Sequence, residues 1–206
     1  LDYIQNDDND SLSSLLSKKT DTSTSSLTKK LQKDAYENIK DDADSVTENA
    51  AKFTDEKSTL FTDAEKTGDY SAIYADIKSV VDSYNKLYNT LGKTSSSINS
   101  MCSELLKESV KENYETLCAV GITLKEDGSL SIDEKKLKAA DTDTLKKAFG
   151  TSSEFAKRLG IIGTNVSSLA KANINYVTNS YTSSGAASNS SDDLYSLMTS
   201  KFNSRG

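Results

Sequence analysis

The sequence predicts a mainly α-helical protein, an elongated antiparallel helical bundle with one small β-hairpin. The chain has 206 residues and contains no proline, the residue that most strongly interrupts helices. Only 35% of its residues are hydrophobic, which favours an elongated bundle over a compact globule. Apolar residues also recur at helical spacing over long stretches. From these repeats we predict helices near 24–66, 69–91, 96–120 and 153–178.

Changes in composition divide the chain into four segments. Residues 1–22 are polar and rich in Ser and Asp, which predicts a disordered N-terminal segment. Residues 23–178 form the predicted helical domain, with a β-hairpin at 121–132. A Ser-rich linker follows at 179–191, and residues 192–206 form a C-terminal tail.

The first predicted helix carries a heptad seam. Its apolar residues follow alternating steps of four and three, interrupted only by Lys57. One interpretation is an arm of an intramolecular antiparallel pair, and the other is a separate coiled-coil oligomer. We favour the intramolecular arm, because the seam is short and rich in Ala. The seam consists of Ile39, Ala43, Val46, Ala50, Phe53, Leu60 and Ala64.

The second predicted helix has the strongest periodicity in the chain. Gly68 is expected to end the preceding helix, Asp69 to cap this one, and Gly92 to end it. The steps between its apolar residues make a broad stripe on one face. The stripe consists of Tyr70, Ile73, Tyr74, Ile77, Val80, Val81, Tyr84, Leu87, Tyr88 and Leu91.

Cysteines and glycines mark the other two long helices. Cys102 and Cys118 fall in one predicted helix, about 24 Å apart at 1.5 Å per residue, which is too far for a disulfide. We expect both to be buried as small hydrophobic side chains. Gly160 and Gly163 interrupt the last helix and predict either a break or a close contact with another helix.

The segment "GITLKEDGSLSIDEKKL" at 121–137 allows two interpretations, a calcium loop or a hairpin. A calcium loop with Gly128 at its sixth position places Asp127 and Glu134 correctly. Its first and third positions would then be Thr123 and Lys125, where the ion needs carboxylates. The calcium interpretation therefore fails.

The hairpin interpretation accounts for the whole segment. Apolar and polar residues alternate on both sides of Asp127-Gly128, a pair that supplies the positive φ of a hairpin turn. Asp133 then caps a short helix whose Leu137 faces inward, and Asp141 caps another.

Composition excludes several classes of function. The chain has no His, so neither a Ser-His nor a Cys-His nucleophile pair can form within it. We predict no enzyme activity, no catalytic residue, no metal site and no cofactor. The net charge of −6 argues against nucleic acid, and no apolar run reaches the length of about 20 residues that a membrane span needs. The polar start "LDYIQNDDND" is unlike a secretory signal. Because the first residue is Leu and not Met, the sequence leaves open whether a signal was removed ahead of it.

Two segments resemble a known family. The run "AVGITLKEDGSLSIDEKKLKAA…LKKAF" is similar to the C-terminal region of the filament-cap family, also called flagellar hook-associated protein 2. Upstream, "IKSVVDSYNKL" at 77–87 resembles a family segment in which an aromatic residue replaces Val80. Family members are typically much longer, which favours a small accessory protein over a cap that plugs a filament. The matching positions of the first run are Gly121, Ile122, Thr123, Asp127, Gly128, Leu130, Ser131, Asp133, Glu134, Leu137 and Phe149.

The resemblance implies a non-catalytic structural protein of the bacterial flagellum. It would bind flagellin, hook-associated subunits or copies of itself through helix faces, outside the cell after export through the flagellar channel. The tail offers an apolar strip for docking on the body or on a partner. The strip consists of Leu194, Leu197, Met198 and Phe202.

Two alternatives stay open at this stage. The acidic segments 40–44 and 141–143 could belong to a calcium or carboxylate ligand-binding module. We interpret Asp141 instead as a helix cap, and Asp41, Asp42 and Asp44 as a solvated face. The other alternative is a cytoplasmic coiled-coil protein that binds partners unrelated to flagella.

Overall fold

The computed structural model describes residues 9–94 and 96–179, with side chains from residue 26 onward. Within these residues the chain is mainly helical with one two-stranded antiparallel sheet, as the sequence predicts. None of the described helices is long and apolar enough to cross a membrane. In chain order the elements are α1 (Asn9–Thr54), α2 (Leu60–Thr67), α3 (Ser71–Gly92), α4 (Ser97–Glu112), α5 (Tyr114–Ala119), β1 (Ile122–Leu124), β2 (Leu130–Ile132), α6 (Glu134–Ala139), α7 (Thr142–Phe149) and α8 (Glu154–Asn179).

The longest packing contact joins α1 to α8, which run antiparallel. The Ala50 Cβ lies 3.6 Å from where a Cβ on Gly160 would stand. Further along α8 and further back along α1, Ser167 Oγ donates to Asp44 Oδ1 at 2.6 Å. The heptad seam of α1 is buried in this chain's own core, in agreement with the predicted intramolecular arm.

Helix α3 packs on α1 as a third antiparallel member of the bundle. Asn49 Nδ2 donates to the Ser79 carbonyl at 3.3 Å, and Lys52 Nζ lies 2.7 Å from Asp76 Oδ1. The predicted stripe of α3 faces the core, and seven of its members are buried while the remaining three tyrosines pack at its edge. Burial of this apolar surface is the main stabilising contribution of α3.

Aromatic side chains close the end of the bundle where α1 stops and α8 begins. The rings of Phe53 and Phe149 are 5.3 Å apart, and Phe155 meets Phe149 edge-on at 5.9 Å. Phe61 from α2 lies 6.4 Å from Phe53. This cluster therefore holds the ends of α1, α7 and α8 together with α2.

The predicted helix near 24–66 is divided in the structure. Asp55 Oδ1 accepts from the Lys57 amide at 2.9 Å, and Ser58 Oγ donates to the Lys52 carbonyl at 3.0 Å. These local side-chain bonds replace the helical backbone pattern between α1 and α2. The division falls at Lys57, where the heptad seam was interrupted.

Helix α1 also begins earlier than expected. It starts at Asn9, so residues 9–22 are helical in the structure, whereas their composition predicted disorder. This stretch contains neither Gly nor Pro, so nothing in it stops a helix that is nucleated by the packed part of α1. Residues 1–8 lie outside the described part of the chain.

The predicted helix near 96–120 is two helices, α4 and α5. Asn113 stands between them, and its Nδ2 donates to the Ser109 carbonyl at 2.8 Å. Cys102 is buried in α4 and Cys118 is half-buried in α5, and both thiols are free. Burial raises the pKa of the Cys102 thiol to about 11, as expected for a cysteine that serves only as a small core residue.

The capping predictions are largely confirmed. Gly68 ends α2 with a left-handed φ of 74°, and the Asp133 carboxylate accepts from the Lys135 and Lys136 amides at the start of α6. The expectation for Asp69 was off by one residue, since Tyr70 occupies the N-cap of α3. Asp69 Oδ1 still accepts from the Ser71 amide at 2.9 Å and so supports the same turn.

Candidate interaction surfaces

The hairpin predicted at 121–132 is present, and its register follows the predicted alternation. Ile122 pairs with Ile132, and Leu124 pairs with Leu130. Ile122 and Leu130 are buried, while the polar pair Thr123 and Ser131 lies on the opposite face with its hydroxyls 2.8 Å apart. The hairpin therefore packs one apolar face on the bundle.

Asn85 of α3 binds the hairpin by its side-chain amide. Its Nδ2 donates to the Leu130 carbonyl at 3.0 Å, and its Oδ1 accepts from the Leu130 amide at 2.7 Å. A side-chain amide offers the same donor and acceptor as a peptide group. Asn85 thus satisfies the outer edge of β2 as a neighbouring strand would.

Two tyrosines hold the turn of the hairpin. Tyr84 is fully buried, and its hydroxyl donates to the Gly128 carbonyl at 3.3 Å. Tyr88 stacks on Tyr84 with ring centroids 6.2 Å apart and lies directly against Gly128, which has a φ of +85°. The segment 77–87 and the hairpin, which carry the two family resemblances, are therefore in direct contact.

The carboxylate of Asp127, in the hairpin turn, accepts hydrogen bonds from Ser129. Asp127 Oδ1 accepts from Ser129 Oγ at 2.6 Å and from the Ser129 amide at 2.9 Å. Both hydrogen bonds lower the pKa of Asp127, and the bond from the Ser129 hydroxyl has the larger effect. Among the described residues no cluster of three or more His, Cys, Asp or Glu is placed to hold a metal ion.

The acidic segment 40–44 joins helices and is not simply a solvated face. Asp42 is only 3% exposed, a burial that the sequence did not predict. Its Oδ1 lies 2.9 Å from Lys86 Nζ, and its Oδ2 accepts from Thr90 Oγ1 at 2.7 Å, so Asp42 fastens α1 to α3. Asp41 is exposed, in agreement with the expectation.

Asp44 and Asp141 of the two acidic segments also have structural partners. Hydrogen bonds from Lys40 and Ser167 lower the pKa of Asp44, and the bond from Lys40 has the larger effect. Asp141 accepts from the Thr144 amide at 2.8 Å, as the cap of α7 should, and this bond is the main reason why its pKa is lowered.

Exposed apolar side chains mark the candidate surfaces for protein partners. Ile161 is 54% exposed on α8, above a shallow groove between α8 and α1. Small side chains line part of this groove, and Glu154, Lys157, Arg158 and Asn165 line the rest. The small residues include Thr47 and Ala51 from α1, and Gly160 and Thr164 from α8. The other large exposed apolar residues in the described part are Leu27, Leu31, Tyr114 and Tyr176.

The predicted apolar strip of the tail, Leu194, Leu197, Met198 and Phe202, lies outside the described residues. The candidate interaction surfaces that the structure describes therefore all lie on the helical body, and the sequence analysis had not identified them. The sequence analysis did not single out Ile161, because an apolar residue within a long helix does not by itself show whether it faces the core. Only the packing of α1 shows which side of α8 stays open.

Comparison with known proteins identifies the family. The family model described as flagellar hook-associated protein 2 C-terminus matches residues 89–204, more than half of the chain. The chain belongs to this family. Proteins of the hook-associated protein 2 family are structural and associated with the bacterial flagellum. The matched residues include the hairpin and α6 to α8, but they begin after Asn85, so the resemblance of 77–87 stays a prediction.

A curated relative supports the same assignment. B-type flagellar hook-associated protein 2 of Pseudomonas aeruginosa is 41% identical to the chain over 66 residues, which is 31% of this chain. The chain spans only 14% of the length of that relative. No solved structure matches the chain.

Proposed function

We propose that this protein is a non-catalytic structural protein of the flagellum that binds other flagellar subunits through its helix faces. Membership of the hook-associated protein 2 family is the observation that carries the proposal. The partners would be flagellin, hook-associated subunits or further copies of this chain. The protein would act outside the cell, after export through the flagellar channel.

The α1–α8 groove is the surface that we assign to such a partner. Small side chains line much of it together with Glu154 and Asn165, and Ile161 has more than half of its surface exposed. Lys157 and Arg158 flank one end of the groove, and Arg158 is paired with Glu112 of α4. An apolar helix face fits such a groove, with the charged rim setting its direction.

Charge introduced at the groove tests this function. Ile161→Asp should leave the fold intact, because the side chain is exposed, and should weaken capture of flagellin or hook-associated protein in a pull-down by at least tenfold. Asn175→Asp adds the same charge to an exposed position of α8, about 21 Å further along the helix, and serves as the control. Equal capture by both variants would show that the groove is not the contact surface. Absence of capture by the unaltered protein would count against the function itself.

A further inference from the structure

The outer edge of β2 carries a peptide donor and acceptor that the fold leaves open. The Asp133 amide donates to the Gly121 carbonyl at 2.8 Å, which makes these two residues a hydrogen-bonded pair. Such pairs alternate with non-hydrogen-bonded pairs along an antiparallel ladder, so the peptide groups of Ile132 and Leu130 point away from β1. Asn85 binds those of Leu130, whereas those of Ile132 have no hydrogen-bond partner within residues 9–94 and 96–179.

A groove of about 380 Å³ lies between α3 and the corner where β2 leads into α6, and Ile132 lines it. Hydrogen bonds join its two walls at both ends. Asn85 binds Leu130 at one end, and the Tyr74 hydroxyl donates to the Lys138 carbonyl at 3.4 Å at the other. The walls are therefore held apart at a fixed width, as in most preformed binding sites. The buried side chains that line the groove are Val81, Leu130 and Leu137.

Two exposed charges on α3 line the same groove. Lys78 and Asp82 form no ion pair within the described part of the chain, whereas Lys138 and Glu134 on the opposite wall lie 3.8 Å apart, Nζ to Oε2. Lys78 and Asp82 are separated by about 6 Å along the helix, close to the spacing of about 7 Å between alternate residues of an extended chain. The rim therefore matches an extended segment whose opposite charges are two residues apart.

We propose that this groove binds an extended polypeptide segment of another protein, which adds to the outer edge of β2. One residue of the segment exchanges both peptide hydrogen bonds with Ile132, as in an antiparallel strand pair. Side chains of directly opposite residues point to the same face, so this residue points with Ile132 toward the bundle. An apolar side chain there contacts Val81 and Leu137 and removes apolar surface from water.

The charges determine the order of the flanking residues. Asn85 lies beside Leu130 and Tyr74 beside Lys138, so α3 and the β2–α6 segment run in opposite directions. An antiparallel segment therefore passes Lys78 before it passes Asp82. The sequence that fits is an acidic residue, an apolar residue and a basic residue in that order, with both charged side chains on the outer face.

Titration of the isotope-labelled full chain with a synthetic peptide, followed by NMR, tests the pairing. The peptide is TELKT with blocked ends, and the control is the same peptide with N-methyl leucine, which keeps the side chain but cannot donate to the Ile132 carbonyl. We expect saturable shifts of the Ile132 and Asn85 signals, and at least tenfold weaker binding of the control. Equal affinities, or no saturable shift in the hairpin, would overturn the proposal. Shifts of the same signals on raising the protein concentration without peptide would assign the edge to a second copy and overturn it as well.

A charge reversal tests the orientation with the same measurement. The unaltered chain should bind TELKT severalfold more tightly than the isomer TKLET. Lys78→Glu with Asp82→Lys should reverse this preference and leave the melting temperature nearly unchanged, because both positions are exposed. The same preference in both proteins would contradict the antiparallel placement. Because the ligand is a synthetic peptide at a different surface, a negative result here leaves the function proposed for the α1–α8 groove untouched.

Discussion

At the residue scale, the Asn85 amide determines how the hairpin is held. A two-stranded hairpin is marginal by itself, and the outer peptide groups of β2 need partners. Asn85 supplies a donor and an acceptor to Leu130 from one planar group. Neither a carboxylate nor a hydroxyl offers both in this geometry, so the residue type follows from the contact.

Asn85→Asp should therefore destabilise the protein. The carboxylate keeps an acceptor for the Leu130 amide but loses the donor to the Leu130 carbonyl, where two oxygens then face each other. We expect a loss of about 1–3 kcal/mol in the free energy of unfolding. Asn89→Asp, on the exposed side of the same helix, is the matched control and should change little. Urea unfolding measures both, and equal midpoints would contradict the assigned role of Asn85.

Gly128 combines two requirements that a side chain violates. Its φ is +85°, and an added Cβ would stand 2.2 Å from the Tyr88 hydroxyl. Gly128→Val should cost roughly 1–3 kcal/mol from the backbone alone, and it should also turn Tyr88 away from its stack on Tyr84. Thermal melting and amide exchange in the hairpin would detect the change. Gly92→Ala, where an added Cβ meets nothing within 4 Å, should not lower the melting temperature.

At the element scale, the two glycines of α8 have different roles. Helix α8 is continuous through both, so the predicted alternative of a close contact is the correct one. An added Cβ on Gly163 would lie 2.8 Å from the Ala43 carbonyl and 2.5 Å from Thr47 Oγ1. At Gly160 the nearest atom would be the Ala50 Cβ, at an ordinary 3.6 Å. Only Gly163 is required for the approach of α1.

This difference predicts opposite signs for one substitution. Gly160→Ala should stabilise the protein by up to about 1 kcal/mol, because alanine favours the helix. Gly163→Ala gains the same propensity but forces the α1 backbone away, which costs roughly 1–3 kcal/mol and should give net destabilisation. Chemical denaturation compares the two directly. Stabilisation by both would mean that α1 and α8 can separate slightly without loss.

The elements that the sequence predicted are those with local signals. The stripe of α3, the Asp127-Gly128 turn and the caps at Asp133 and Asp141 each lie within a few residues, so periodicity and turn chemistry reveal them. The division after Thr54 has no Gly or Pro and depends on side-chain bonds from Asp55 and Ser58. The burial of Asp42 depends on residues more than forty positions away, which no local pattern reports.

At the scale of the whole molecule, the first and last described helices pack against each other as an antiparallel pair. Helices α1 and α8 form this pair. Helix α3 packs on α1, and the hairpin packs on α3. The order of elements therefore brings the first and last helices together, and the buried core spans Ile39 to Val177.

Deletion of residues 192–206 should leave the melting temperature of the body nearly unchanged, because we expect the buried residues between Ile39 and Val177 to provide most of its stability. Association with flagellin or hook-associated protein, or self-association, should weaken, since the tail carries the apolar strip Leu194, Leu197, Met198 and Phe202. A full-length variant with these four residues replaced by Ser is the control for chain length and should behave like the deletion. Pull-downs and sedimentation measure association, and calorimetry measures melting. Unchanged association in both variants would leave the tail without a role in binding, and a large drop in melting temperature would place it in the core.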